Sequence, residues 1–84
     1  MADLDDLDPL ADDNEATREV AWIARRAREL VFSPGRREPD LPAPAEYVEF
    51  FARKVRLLRH IGTAESLALV PANLELLAHY RRQL

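Results

Sequence analysis

Eighty-four residues, 48% of them apolar and 32% charged, with a net charge of −3, describe one small globular domain. A chain of this length buries only about 60% of the surface it exposes when unfolded, which argues against a large enclosed active site. Without cysteine there is no disulfide framework, thiolate metal site or cysteine nucleophile, and no apolar run approaches the roughly 20 residues that cross a bilayer.

The N-terminal stretch MADLDDLDPL is acidic, with neither a basic start nor an apolar core. It does not read as a secretory signal, and the expected location is the cytoplasm. Residues 1–15 hold seven acids and no base, whereas residues 16–84 hold twelve bases against eight acids. All of those bases except Lys54 are arginine. Dense like charge opposes compact packing, so residues 1–12 are expected to form a flexible acidic tail. Leu4, Leu7 and Leu10 recur at every third position among its acids, a spacing suited to a motif that folds on a partner. Asp8-Pro9 has the composition of an early helical turn.

The first long helix is predicted over residues 13–32, with Asp12 and Glu15 at capping-box spacing. Ala16, Val20, Ile23, Ala27 and Leu30 recur at steps of four and three, one narrow apolar seam that should face the core. Ser33-Pro34-Gly35 ends the helix. Residues 33–44 carry four of the six prolines and read as a stiff connector, long enough for the next helix to return antiparallel or to cross.

The second helix is predicted over 44–61, opened by Pro44 and stopped by Gly62. Val48, Phe51, Val55 and Leu58 make one apolar seam, and Phe50, Leu57 and Ile61 a second beside it, together about 220° of the wheel. Glu46, Glu49, Arg53, Arg56 and His60 occupy the remaining face. Two apolar sides mark a central helix, covered by two neighbours or by another subunit, so self-association is expected. Thr63 caps a short helix over 64–70, and Pro71 opens a last one over 71–84 with Leu74, Leu77, Ala78, Tyr80 and Leu84 on its apolar side and Leu76 at the edge. β-Branched residues are few and never alternate, so no strand is predicted. The expected fold is all-α, a small bundle of three to four helices with a proline-rich connector and an acidic N-terminal tail.

The motifs that carry chemistry are missing. A helix-turn-helix centred on Gly62 would have a reading helix over 65–73 with no arginine or lysine, and with Pro71 where the helix must continue. Ala64-Glu65-Ser66-Leu67 resembles the Asp-Ser-Leu prosthetic-group site of acyl carrier proteins over four residues only, with Glu in place of Asp. Too little chain follows Ser66 for that family's later helices, and Ser66 reads instead as a first-turn helix residue. His60 and His79 stand on separate helices with no second histidine at i+4, and Asp3, Asp5 and Asp8 lack the glycine and glutamate of a calcium loop. The chain is expected to be no enzyme and to use no cofactor or metal.

Trp22 fits a purely structural account least. It lies about 120° from the centre of the first helix's seam, and Arg18, Arg25 and Arg26 share its face. A tryptophan framed by arginines has the composition of an interface hot spot; alternatively, the last helix or the connector covers it as a second core layer. The partner-binding candidates are Trp22, Arg18, Arg25, Arg26, Arg53 and Arg56, with Leu4, Leu7 and Leu10 of the tail. The expected function is that of a small non-catalytic interaction protein, an accessory subunit, adaptor or regulator of a larger complex, whose partner is another protein or a second copy. The alternative is a nucleic-acid-associated regulator or antitoxin-like protein, because arginines at 25–28 and 53–59 can neutralise phosphates.

Overall fold

Local chemistry sets the helix ends. The computed structural model describes residues 7–31 and 43–84, and among these the chain is all-α with no strand. Its helices are α1 (Asp13–Val31), α2 (Pro44–Ile61), α3 (Ala64–Ala68) and α4 (Val70–Arg81). Most of the proline-rich connector, Phe32 and Leu4 lie outside the described residues.

At the start of α1, Asp12 Oδ1 accepts from the Glu15 amide at 2.8 Å, while the Glu15 carboxylate reaches back to the Ala11 amide, one residue before the cap. At the start of α2, Glu46 accepts from the Ala43 amide at 2.7 Å, and Pro44 sits in the first turn, where its missing N–H costs nothing. Gly62 closes α2 in the left-handed region at φ 70°, its amide donating to the Leu58 carbonyl. Thr63 Oγ1 then accepts from the Ser66 amide and starts α3.

The structure revises several expectations, and the short helix α3 ends at Ala68 rather than at residue 70. The last helix starts at Val70 rather than Pro71 and ends at Arg81, so Leu84 lies beyond it, exposed, and not on its apolar side. Asp8-Pro9 opens no helical turn, because residues 7–11 have no regular structure. The part of the tail that is described is docked on the body. Leu10 is buried, Leu7 packs against the core, and Arg56 Nε donates to the Asp8 carbonyl oxygen.

α2 is the central element, packed on α1 along one face and on α4 along another. Ion pairs and ring contacts fix both neighbours as antiparallel to it. Along α1, Asp13, Glu19 and Arg26 meet His60, Arg53 and Glu46 in reverse order. Along α4, Val70 packs with Val55 and Leu58, while Tyr80 stacks on Tyr47 and Phe51 near the other end of α2. Val55 and Leu77 are the fully buried side chains among the described residues, so the core is small and lies between α2 and α4.

Candidate interaction surface

The face of α2 that the sequence assigns to solvent is the face that meets α1. Glu46, Arg53 and His60 recur every seven residues, two helical turns, and each finds a partner of opposite kind on α1. Arg26 Nη2 donates to Glu46 Oε1 at 2.6 Å, and its Nη1 lies 3.5 Å from Glu29 Oε1. The hydrogen bond to Glu46 holds the Arg26 guanidinium above its ordinary range, against the opposing effect of partial burial. Arg53 Nε donates to both carboxylate oxygens of Glu19, at 2.9 and 3.1 Å, and Asp13 Oδ1 lies 2.8 Å from His60 Nε2.

This ladder rotates α1 by roughly 50° from the orientation its apolar seam predicts, at 100° per residue. Glu19 is buried at 7% exposure, and Val20 of the expected core seam is turned out to 51%. The same rotation brings Trp22 against α2, where its ring sits 6.3 Å from that of Phe50 and under the Arg53 guanidinium.

The sequence-based site therefore divides. Arg26, Arg53 and Arg56 are engaged inside the chain, and Trp22 is half-buried against Phe50 and Arg53 of α2. Leu7 and Leu10 belong to the body rather than to a free docking motif. Arg18 and Arg25 are exposed, and with Arg28 they form an outward stripe on α1 that has no ionic partner among the described residues. Leu4 lies outside the described residues.

Sequence reasoning missed the apolar groups that the fold leaves outside. Besides Val20, these are Ile61, assigned to a core seam but 48% exposed, and Leu67, Leu69 and Leu76. Leu69 and Leu76 stand seven residues apart, just beside the buried Val70, Asn73 and Leu77, so their spacing was a readable signal. α1 and α4 meet α2 on faces roughly 140° apart, where a closed triangle of helices would place them about 60° apart. At the usual axis distance of about 9 Å, helices on such faces would stand about 17 Å apart, leaving room for about one helix between them. Helical spacing sets Val20 and Ile23 of α1, Lys54 and Ile61 of α2, and Leu69 and Leu76 of α4 along that space. Tyr47 and Tyr80, stacked at 4.5 Å, close one end, the Tyr47 hydroxyl reaching to 3.5 Å from the Leu30 carbonyl.

Other sites for chemistry are few. A cleft of about 120 Å³ is lined by Leu7, Pro9, Leu10, Arg56, Arg59 and His60, with the Asp8 backbone at its edge. Among the described residues there is no cluster of three metal-ligating side chains, and no helix long and apolar enough to cross a membrane. Ser66 is buried, and its hydroxyl donates to the Thr63 carbonyl at 3.0 Å, as suits a first-turn helix residue. Comparison of the chain with protein-family models, with curated proteins and with solved structures finds no match.

Proposed function

We propose that this is a small, non-catalytic interaction protein of the cytoplasm, an accessory subunit, adaptor or regulator that acts by docking a helix surface and uses no cofactor. The observation that carries this reading is the exposure of Val20, Ile61, Leu69 and Leu76, large apolar side chains left outside in a chain whose core is small. Isolated apolar residues on a surface need no explanation, but four large ones in so short a chain fit recognition of an apolar helix face. The acidic residues of the N-terminus would add charge steering toward a basic partner. Affinity capture from the native host tests the reading, using the wild-type chain beside Leu69→Glu. A protein retained by the wild type through 1 M salt and lost with Leu69→Glu supports it; equal recovery by both chains refutes it.

The outward stripe Arg18, Arg25 and Arg28 favours a second reading, a nucleic-acid-associated regulator. Three phosphate contacts would give a slope of log K against log salt near about −2.7 on duplex DNA. Binding through the exposed apolar groups would instead change little with salt.

A further inference from the structure

Residues 7–10 pass the last two turns of α2 without regular structure, and a cleft of about 120 Å³ lies where the two meet. This strap is anchored at both ends. Leu7 packs against the core cluster of Val55, Leu58 and Val70, Leu10 is buried, and between them Arg56 Nε donates to the Asp8 carbonyl oxygen. Leu7, Pro9 and Leu10 give the cleft its apolar lining, and α2 contributes Arg56, Arg59 and His60. The polar groups are unequally matched. His60 Nε2 lies 2.8 Å from Asp13, and Arg56 uses one N–H on the strap. Arg59 is exposed and has no ionic or hydrogen-bond partner among the described residues. Asp8, the one acid in the lining, is exposed and meets Arg56 through its backbone oxygen. The C-terminus of α2 adds only about half a negative charge, which two guanidinium groups outweigh.

We propose that this cleft binds a small carboxylate with a short branched apolar tail, the class of 3-methylbutanoate. A guanidinium offers paired N–H donors that match the two oxygens of a carboxylate, so Arg59 takes the acid together with the remaining N–H groups of Arg56. Leu7, Pro9 and Leu10 take the tail, as in small-molecule sites where an apolar lining carries a few convergent polar groups. Size limits the tail. An apolar cavity of about 150 Å³ holds benzene, so the smaller cleft suits about four carbons beside the carboxylate. Phosphate satisfies the arginines but sets charged oxygens against the leucines and proline, with the desolvation cost that follows. A bound acid touches strap and helix at once, and its affinity for the folded chain alone ties residues 7–10 to the body. The inference stands apart from the interaction reading, which uses Val20, Ile61, Leu69 and Leu76 instead.

Titration of the full isotope-labelled chain with sodium 3-methylbutanoate, at neutral pH and fixed ionic strength, tests the proposal through amide chemical shifts. Saturable shifts centred on Leu7, Leu10 and Arg59 are expected, with Kd near about 1 mM, within reach of so small a ligand. 3-Methylbutanamide has the shape without the charge, and inorganic phosphate the charge without the tail. Each should bind at least about tenfold more weakly. Arg59→Gln should weaken the acid at least about tenfold with the circular dichroism unchanged, because Arg59 holds nothing else in the fold. Arg28→Gln, an exposed arginine on α1, should leave binding unchanged. The absence of saturable shifts up to about 50 mM acid overturns the proposal. So does an amide or a phosphate that binds as tightly as the acid, or an Arg59→Gln chain that binds as tightly as the wild type.

Discussion

The guanidinium of Arg53 lies over the indole of Trp22, 3.6 Å from the ring centroid, while its Nε is held by the carboxylate of Glu19 one helical turn earlier on α1. One arginine thus satisfies a buried acid and roofs a tryptophan, joining two helices through groups that each look solvent-bound in their own sequence. The Trp22 ring thereby supports the α1–α2 contact.

Trp22→Ala is accordingly expected to cost about 2–3 kcal/mol, below the roughly 3–5 kcal/mol of a fully buried aromatic, because the ring is only half-buried. Urea unfolding followed by far-ultraviolet circular dichroism measures this. A loss below about 0.5 kcal/mol, with partner binding abolished, would return Trp22 to the role of interface anchor.

Glu19→Ala leaves the Arg53 charge without its carboxylate in a partly buried setting. Full burial would make this cost about 3–5 kcal/mol, and the partial exposure of Arg53 reduces the expected loss to about 1–3 kcal/mol. Replacing both partners, Glu19→Leu with Arg53→Met, should recover most of that loss, since an apolar pair of similar volume needs no ionic partner. A double-mutant cycle in urea gives the coupling; additive losses would mean that the pair contributes little.

Leu10→Ala discriminates a docked segment from a free tail. With Leu10 buried, the substitution should cost about 2–3 kcal/mol and lower the melting temperature by at least roughly 8 °C in a domain of this size. A melting temperature unchanged by Leu10→Ala would show that residues 7–12 are not part of the folded body.

Gly62→Ala tests the turn between α2 and α3. A Cβ there would meet only the carbonyl oxygens of Arg59 and His60, at 3.6 and 3.8 Å, which is ordinary contact. The penalty is therefore conformational, about 1–2 kcal/mol for holding an L-residue at φ 70°. Thermal unfolding reads it directly, and an unchanged midpoint would refute the assignment.

Helix boundaries were legible because the forces that set them are local. Pro44, Gly62 and Thr63 act on amides and carbonyls within a turn of themselves, and each marks the helix end that it predicts. The capping function of Asp12 was equally readable, even though Glu15 reaches one residue further back than the pattern implies.

Which way each helix faces was a tertiary decision. The pattern of α1 alone places Val20 inside and Glu19 outside, and the structure reverses them, because a carboxylate can be buried when an arginine from α2 completes it. That complementarity belongs to two segments more than 30 residues apart, as the Arg53–Glu19 separation of 34 shows, and appears in neither helix by itself. The same holds for the exposed apolar groups. Sequence alone determined an all-α chain with one seam on its first long helix and two on its second. Only the packing of α1 and α4 on separated faces of α2, fixed by the ion-pair ladder on one side and the Tyr47–Tyr80 stack on the other, decided that Val20, Ile61, Leu69 and Leu76 would be left uncovered together.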